Sequence, residues 1–397
     1  MIYVHVPFCR SFCTYCGFYS EVAPKCCRQK ELLKQETLFQ DYGLALETEI
    51  RTRHDDIQRV FASSDVNTLY VGGGTPSVLP LSFFERLTEV LGRSGFREFT
   101  VEVNPEDIVE KGPGYVEGLL RLGVNRISMG VQSFDDNMLK WMNRRHTSSQ
   151  AVEAYRILEE SGVGNISIDL IFGLPRLTDN LWRDTLSKAM DISSRGVPPA
   201  HISAYQLSVE EDSMLEKMIS CGKCSEAPEE DCRRQYEVLC EVLGAAGYNH
   251  YEISNFARPG FEAVHNSAYW RHVPYVGLGP GAHSFMLPAP HETMRSICKR
   301  QWNKSDLNGY VKAGMTGDFS RVQDGEVLDA DQIKVERIML GLRTAAGVSA
   351  DYLRKHCTDA VVEGALKCSN LVALENGSLR IPENRFFISD NIISSLI

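Results

Sequence analysis

IYVHVPFCRSFCTYC, at residues 2–16, is the stretch that decides both the fold class and the first candidate site. Its apolar start is typical of a short buried strand. Cys9, Cys13 and Cys16 then follow in a loop with the spacing C-x3-C-x2-C. Thiolates ligate iron–sulfur clusters, and three of them leave one iron of a cubane without a protein ligand. Because a metal needs an open position to act on a small molecule, the loop predicts a 4Fe–4S cluster with one open iron.

Zinc is the competing metal for this loop, but a structural zinc site needs a fourth Cys or His at near spacing. Position 18 is Phe, and the next cysteines, Cys26 and Cys27, come ten residues after Cys16. Three unconnected buried thiols are the remaining alternative, and the spacing directly after a strand disfavours it.

The other cysteines bear on the cellular compartment and on a second site. The chain has 12 cysteines, and its start lacks the features of a secretion signal. This combination indicates a reducing cytoplasm, where clustered thiols are more often metal or redox groups than disulfides. Cys221 and Cys224 form a C-x2-C pair and are a candidate second metal site. Cys232 and Cys240 lie on a predicted helix, where small buried thiols are common.

Short apolar runs alternate with amphipathic stretches in the first 210 residues, which predicts buried parallel strands separated by helices. The six runs are 2–6, 68–71, 98–103, 126–131, 165–172 and 201–207. The helical stretches include 42–53, 81–91, 150–161 and 180–193. Serial strand–helix units imply a parallel sheet. The sequence therefore predicts an α/β fold, a partial (β/α)6 TIM-like barrel, and a doubly wound sheet is the alternative.

A change of composition at residues 287–296 marks a predicted domain boundary. We place a core domain at 1–287 and a smaller domain at 288–397. In the smaller one, helices are expected at 331–342, 349–355 and 359–369, before a hairpin with its turn at Asn376-Gly377. These elements are typical of a winged-helix-like α+β module. Such modules can bind DNA, but the missing basic stripe favours an interaction or lid role.

Glycine and polar residues stand at the predicted carboxyl ends of the strands. The second strand ends in Gly72-Gly73-Gly74-Thr75-Pro76, where glycines allow close approach of a ligand. Glu102, Gln132 and Asp169 lie at the ends of the next three strands, and Arg144 follows. Because the binding mouth of such a barrel lies at these ends, the residues are predicted to line a site. The alternative is that the glycine run forms only a tight turn and that each polar residue only caps a helix or forms an ion pair.

The cysteine loop and the glycine run resemble the signature of the radical S-adenosylmethionine superfamily. That resemblance implies that a reduced cluster donates an electron to the sulfonium of S-adenosylmethionine and yields a 5′-deoxyadenosyl radical. The segments IYVHVPFC, VGGGTPS, VEVNPE, NRISMGVQSF and IDLIFGLP further resemble the oxygen-independent coproporphyrinogen III oxidase-like branch, over nearly the whole chain.

By position, this resemblance implies which residues contact S-adenosylmethionine. Tyr3, Gly73 and Glu102 are expected at the cluster-bound molecule. A second molecule, as in the oxidase, is expected to be surrounded by Tyr15, Gly74, Thr75, Gln132, Arg144 and Asp169. His283, beside a glycine-rich run, is expected to face the adenosyl group.

Three features depart from the oxidase pattern. The first is Phe18, which stands where the oxidase has a fourth cysteine. The second is that no counterpart of the oxidase's N-terminal extension is expected before the first strand. The third is H-N-x-x-Y-W, in which imidazole can ligate haem iron and aromatic rings can stack on a porphyrin. Taken alone, such a histidine is more often a packed core residue. The motif resembles that of HemW-type haem chaperones, which implies haem binding by His265, Asn266, Tyr269 and Trp270.

The function that the resemblance implies is a haem chaperone that binds a 4Fe–4S cluster, S-adenosylmethionine and haem. Haem would be cargo for an acceptor protein, for which a respiratory haemoprotein is one candidate, and no catalytic residue is assigned. The alternative is an enzyme, an oxygen-independent coproporphyrinogen III oxidase or dehydrogenase or another radical-SAM enzyme acting on a tetrapyrrole. A homodimer and peripheral membrane contact are left open.

Charge and hydropathy exclude other classes of protein. The formal net charge of −10 disfavours nucleic acid as a partner and opposes a DNA-binding regulator. No apolar run approaches the roughly 18–20 residues that a membrane span needs. A cytoplasmic protein is therefore expected.

Overall fold

The computed structural model describes residues 1–24, 29–287 and 298–397, so Cys26, Cys27 and nearly all of the predicted boundary stretch lie outside the described residues. The first half of the chain alternates strands and helices. Its strands are β1 Ile2–Val6, β2 Phe8–Cys9, β3 Glu21–Val22, β4 Thr68–Gly73, β5 Glu98–Val103, β6 Arg126–Gln132, β7 Ile166–Phe172 and β8 His201–Gln206. Its helices are α1 Gln29–Thr52, α2 His54–Ala62, α3 Leu81–Leu91, α4 Pro105–Arg121, α5 Asp136–Trp141, α6 Ser148–Glu160 and α7 Asp179–Met190.

The second half consists of shorter elements. The middle of the chain forms α8 Met214–Ser220, α9 Glu229–Ala245, β9 Asn249–Glu252, β10 Asn255–Ala257, α10 Val264–Trp270, β11 Val276–Leu278, β12 His283–Met286, β13 Cys298–Asn303, α11 Leu307–Thr316 and β14 Gln323–Leu328. The last part forms α12 Ala330–Leu342, β15 Val348–Ser349, α13 Ala350–His356, α14 Asp359–Lys367, β16 Val372–Ala373, β17 Ser378–Arg380, a 3-10 helix at Glu383–Ile388 and α15 Ser389–Ser394.

The main sheet contains the six predicted strands as parallel neighbours, in the order β1, β4, β5, β6, β7, β8. At one edge β11 adds parallel to β1, and at the other β10 and β9 add antiparallel. The strand interiors are almost entirely buried, as expected for a parallel sheet covered on both faces. The predicted α/β fold with its parallel core is confirmed.

One long helix, α4, was not predicted from the sequence. Gly112 adopts the non-helical angles φ 69° and ψ −173° within it, and Pro113 follows, so the backbone kinks there. A proline preceded by glycine is a helix-breaking signal, because proline lacks an N–H and clashes with the preceding turn. The element labelled α4 therefore consists of two shorter helical segments, one on each side of the kink, and it packs against α6 and α3.

The C-terminal elements agree with the predicted helices at 331–342, 349–355 and 359–369, which correspond to α12, α13 and α14. Gly377 has a positive φ of 79° in the turn between β16 and β17, as the Asn-Gly pair predicts. A third short strand, β15, completes a small antiparallel sheet with them. Within the described residues, no helix has the length and apolar character needed to cross a membrane.

The division at residue 287 stays a prediction, and the segments on its two sides are joined by paired strands and a shared core. β12 pairs antiparallel with β13 across the predicted boundary. Leu307 and Tyr310 of α11 belong to the same continuous apolar cluster as the sheet.

A buried carboxylate, Glu49 on α1, links these segments further. Its Oε2 accepts hydrogen bonds from the Gly279 amide at 2.9 Å and from the Tyr310 hydroxyl at 2.6 Å. Its Oε1 accepts from Asn303 Nδ2 at 2.8 Å and lies 3.7 Å from the Arg53 guanidinium. The Glu49 side chain is fully buried, so these four groups compensate for the solvation that its charge loses.

We expect Glu49→Ala to lower the free energy of unfolding by about 3–5 kcal/mol, because it leaves buried donors and the Arg53 charge without their acceptor. Equilibrium denaturation in urea measures the change. Glu36→Ala, at an exposed position of the same helix, is the matched control and should change stability by less than about 0.5 kcal/mol. Equal effects of the two substitutions would contradict the role assigned to Glu49.

Candidate metal and cofactor site at the barrel mouth

The cysteine loop is held against the carboxyl ends of the strands by backbone contacts. The Thr14 amide donates to the Met142 carbonyl at 3.0 Å, and the Thr14 hydroxyl donates to the Trp141 carbonyl at 2.9 Å. Asn143 Nδ2 donates to the Phe12 carbonyl at 2.6 Å. The segment after α5 therefore fixes the middle of the loop.

The three predicted ligands, Cys9, Cys13 and Cys16, line the mouth of one cavity. Burial, together with the neighbouring Cys13 and Cys9, raises the pKa of Cys16 to about 11. Burial also raises the pKa of Cys9. The thiols thus lie close enough to influence one another, and a metal that binds them must displace their protons. This set of three soft sulfur donors fits an iron–sulfur cluster with one iron left without a cysteine.

A chain of hydrogen bonds connects two of these cysteines. The Thr75 hydroxyl donates to Cys9 Sγ at 3.4 Å and accepts from Asn104 Nδ2 at 3.2 Å. Arg144 donates through Nη2 to Asn104 Oδ1 at 2.7 Å and through Nη1 to Cys13 Sγ at 3.5 Å. The sequence interpretation assigned no role to Asn104, although its place at the end of β5, before Pro105, was visible.

The Gly72-Gly73-Gly74 run lies directly against the strand that leads to the cysteines. The Gly74 amide donates to the Val6 carbonyl at 2.8 Å, and a Cβ on Gly74 would lie 2.6 Å from the carbonyl oxygen of Phe8. Gly73 has a φ of 106°, and its Cβ would lie 2.6 Å from the His5 ring. Only glycine fits at these two positions, so the backbone forms part of the cavity wall.

Two carboxyl groups lie deeper in the cavity. Glu102 accepts from the Tyr70 hydroxyl at 2.6 Å and from the Gly73 amide at 3.1 Å. Burial raises the pKa of Glu102 to about 7, although the hydrogen bond from Tyr70 opposes the shift. Burial also raises the pKa of Asp169, which accepts from the Ser128 hydroxyl at 3.2 Å. Ionising these two buried carboxyl groups is unfavourable without a positive charge nearby. They therefore favour a cationic ligand in the cavity.

The cavity has a volume of about 480 Å³ and brings together most of the predicted cofactor residues. Those that line it are Tyr15, Gly73, Gly74, Thr75, Glu102, Gln132, Arg144 and Asp169. Lining residues that sequence reasoning missed include Tyr70, Asn104, Ser128, Ser203 and Tyr205. Serine and tyrosine recur in many strands, so nothing in the sequence singled these out.

Two predicted cofactor residues do not line this cavity. The Tyr3 hydroxyl is bonded to His5 Nδ1 at 3.0 Å. His283 is exposed, and its ring stacks on Trp302 with the ring centroids 5.8 Å apart. The reason is the antiparallel pairing of β12 with β13, which sets His283 opposite Trp302. The expectation that His283 faces an adenosyl group in the cavity therefore has no support from its position.

The H-N-x-x-Y-W motif forms α10, which lies at the opposite end of the barrel from the cysteines. Glu98, the first residue of β5, accepts from the amides of Val264 and His265 at 2.7 and 2.9 Å. Thr68, the first residue of β4, bonds to His265 Nδ1 at 2.8 Å. Since both are at the amino ends of parallel strands, α10 closes that end.

The His265 ring is 1% exposed, and both of its nitrogens are engaged. Nε2 is bonded to the Tyr269 hydroxyl at 3.0 Å. Burial lowers the pKa of His265 to about 3, so the imidazole is neutral. Asn266 lines the same cavity as the cysteines, while Tyr269 and Trp270 are partly exposed. The motif, through Asn266, and the cysteine loop thus line the same cavity.

The C-x2-C pair lies apart from this cavity. Cys221 is exposed after α8, and Cys224 is partly exposed in the following turn. Among the described residues, neither joins a group of three metal-ligating side chains. The predicted second metal site at this pair remains without supporting geometry.

Comparison with known proteins adds to this geometry. The model of the Radical SAM superfamily matches residues 3–189. The chain is 33% identical over 351 residues to the haem chaperone HemW of Synechocystis, covering 87% of this chain and 78% of that protein. It is 32% identical over 353 residues to HemW of Bacillus subtilis, covering 87% and 84% of the two chains.

A solved structure shares the fold over the whole chain. It is the coproporphyrinogen III oxidase HemN from Escherichia coli, a radical SAM enzyme, with a TM-score of 0.73 and 21% identity. The match covers 100% of this chain and 89% of that one. The chain therefore belongs to the HemW family within the radical SAM superfamily.

Proposed function

We propose that this chain is a haem chaperone that binds a 4Fe–4S cluster, S-adenosylmethionine and haem, and passes the haem to an acceptor protein. The observation that carries the proposal is that the cysteine loop and Asn266 of the H-N-x-x-Y-W helix line the same cavity. The names of the relatives support haem as the cargo. Membership of the superfamily implies the cluster and S-adenosylmethionine.

In this proposal Cys9, Cys13 and Cys16 hold the cluster. When bound, the cluster supplies an open iron and an electron for S-adenosylmethionine. Thr75 donates a hydrogen bond to Cys9 Sγ and Arg144 donates one to Cys13 Sγ, so both sulfurs are held in position. Phe18, 72% exposed, occupies the position where the oxidase pattern has a fourth cysteine.

S-adenosylmethionine carries cationic sulfonium and ammonium groups, and the deep carboxyls provide the complementary charge. Glu102 lies at the Gly73 amide, so it can accept from an ammonium that approaches the glycine wall. Gln132, Arg144 and Asp169 are proposed to bind polar groups of the same ligand or of a second one. Gln132 has a positive φ of 67°, at an irregularity where β6 pairs with β7, and its side chain lines the cavity.

We expect Cys16→Ser to lower the iron bound after anaerobic reconstitution at least tenfold, because hydroxyl is a poor ligand for a cluster. Iron analysis and the visible absorption of the cluster measure the loss. Cys368→Ser, at an exposed cysteine near the C-terminus, is the matched control and should bind iron as wild type does. Full cluster content in Cys16→Ser would rule out Cys16 as a ligand.

The raised pKa of Glu102 predicts that S-adenosylmethionine binds more weakly at low pH. The cation requires the ionised carboxylate, and the group becomes protonated as the pH falls below about 7. The affinity of cluster-loaded protein should therefore fall by up to about tenfold per pH unit below that value. Anaerobic calorimetry from about pH 5.5 to about pH 8, a range that brackets this pKa, measures the slope.

Glu102→Gln should bind weakly at high pH and show almost no slope, because its amide cannot ionise. Glu117→Gln, an exposed position on α4, should behave as wild type. An unchanged slope in Glu102→Gln would assign the pH dependence to another group.

Haem ligation through His265 requires a local rearrangement, because Nε2, whether it donates to the Tyr269 hydroxyl or accepts from it, cannot bind an iron at the same time. The neutral ring is already in the form that binds metals. If His265 ligates haem, His265→Ala should weaken haem binding at least tenfold and alter the Soret band. Tyr269→Phe, which frees Nε2, should retain or strengthen binding.

Anaerobic titration of haem into the wild-type protein and the two variants tests this, with His356→Ala as a control distant in sequence. Equal affinities and unchanged spectra in His265→Ala would make His265 a structural residue of the barrel end. The chaperone function itself is tested by mixing haem-loaded protein with an apo-haemoprotein and measuring transfer. Absence of transfer with cluster and S-adenosylmethionine present would count against it.

An enzyme is the second candidate, favoured by the cavity that the cysteines share with the buried carboxyls of Glu102 and Asp169. In that case the cluster-loaded protein, given a reductant, S-adenosylmethionine and an electron acceptor, would oxidatively decarboxylate coproporphyrinogen III with release of CO2 under anaerobic conditions. Formation of protoporphyrinogen would replace the chaperone proposal with an oxidase.

A further inference from the structure

A second group of metal-ligating side chains lies far from the cysteine loop, at the junction of the barrel with the C-terminal elements. It consists of Cys240 on α9, His250 on β9 and Glu383 at the start of the last 3-10 helix. One ligand atom from each lies within 4.8 Å of the others. His250 Nδ1 is 3.1 Å from Glu383 Oε1 and 3.9 Å from Cys240 Sγ.

The His250 ring is held so that Nδ1 faces the other two residues. Its plane stacks on Phe256 with the centroids 4.0 Å apart, and Phe386 packs edge-on at 5.0 Å. Nε2 lies 3.3 Å from the Tyr236 hydroxyl and 3.4 Å from the Ile253 carbonyl. The surrounding side chains therefore orient the ring as outer-shell partners orient a metal-bound histidine.

The hydrogen-bond partners of the ring leave Nδ1 to the other two residues. The Tyr236 hydroxyl donates to the Ile253 carbonyl at 2.8 Å, and His250 Nε2 lies within hydrogen-bond distance of both oxygens. When Nε2 carries the ring hydrogen, Nδ1 presents its lone pair towards the Glu383 carboxylate. A cation between Nδ1 and Glu383 Oε1, which are 3.1 Å apart, is either a proton or a metal ion, and the test below distinguishes the two.

Two of the three separations between the ligand atoms are close to those around a tetrahedral ion, and the third, from Cys240 Sγ to the Glu383 carboxylate, is within 4.8 Å. With Zn–N and Zn–O of about 2.0 Å and Zn–S of about 2.3 Å, the N···O and N···S separations are about 3.3 and about 3.5 Å. The observed 3.1 and 3.9 Å differ from these by a few tenths of an ångström. The Glu383 side chain is 50% exposed, which leaves a fourth position to water.

We propose that Cys240, His250 and Glu383 bind a divalent metal ion of the zinc class, which joins the last 3-10 helix to α9 and β9. One sulfur, one nitrogen and one oxygen donor match the borderline-soft character of Zn²⁺ and disfavour Mg²⁺ and Ca²⁺, which prefer oxygen alone. The site is independent of the haem-chaperone proposal, because none of its residues lines the barrel cavity.

The test uses Co²⁺ as a spectroscopic probe in the full-length chain with Cys9→Ser, Cys13→Ser and Cys16→Ser, which removes the thiolates of the other site. We expect a single Co²⁺ per chain, with thiolate-to-cobalt charge transfer and tetrahedral d–d absorption. Adding Cys240→Ser should abolish the charge transfer. Adding Glu383→Gln, which keeps the shape of a half-exposed side chain, should weaken binding at least tenfold.

Cys232→Ser, on the same helix, is the matched control and should bind as the parent does. In cluster-loaded wild type, one Zn²⁺ per chain beyond the cluster iron should be found, and Glu383→Gln should lose it. Absence of Co²⁺ binding would leave His250 and Glu383 joined by a proton alone and overturn the proposal. Loss of binding in Cys221→Ser or Cys224→Ser, with binding kept in Cys240→Ser, would also overturn it.

Discussion

The hydrogen-bond chain from Cys9 through Thr75, Asn104 and Arg144 to Cys13 is the interaction on which the candidate site depends. Three ligands can bind one cluster only if their sulfurs are held at fixed separations, and a loop alone does not hold them. The donors come from the ends of the sheet, since Thr75 follows β4 and Asn104 follows β5. Arg144 also donates to the Gly130 carbonyl at 2.7 Å, which links the hydrogen-bond chain to β6. The geometry of the thiols is therefore set by the rigid part of the fold, where low dielectric strengthens each bond.

The sequence was sufficient to predict the sheet and to group most of the side chains that line the cavity. Parallel strands that are buried on both faces must be apolar along their length, so each of the six strands was visible as a run. The carboxyl ends of such strands meet at one edge, which is why Glu102, Gln132 and Asp169 could be grouped from the order of the strands alone. The cysteine spacing is local and needed no tertiary information.

Contacts between residues that are far apart in the sequence could not be predicted from local sequence patterns. The bond between Thr68 and His265 joins residues 197 positions apart, and no local pattern indicates that α10 closes the amino end of the barrel. The position of His283 opposite Trp302 likewise follows from the pairing of β12 with β13, which no local pattern around His283 indicates. The two helical segments of α4 were not predicted, although Gly112 and Pro113 carry the signal of a helix end and the backbone does leave helical geometry there.

Closure of the barrel end by α10 constrains how haem could reach His265. The ring is bonded on both sides, and Tyr269 in turn packs edge-on against Tyr275 with the centroids 4.7 Å apart. Tyr275 exchanges backbone hydrogen bonds with Phe285 at the start of the smaller sheet. Displacing Tyr269 therefore disturbs a packed contact as well as one hydrogen bond.

The segments before and after the predicted boundary at residue 287 depend on each other through the buried carboxylate of Glu49. Glu49 is buried in the N-terminal part, and two of its partners, Asn303 and Tyr310, come from beyond residue 297. A carboxylate buried without those donors would bear a desolvation penalty that Gly279 and Arg53 alone compensate poorly. Residues 1–287 thus contain a charge whose burial is stabilised by the following segment. The core and the polar contacts join residues before 287 to residues after 297, so the two segments stabilise one another.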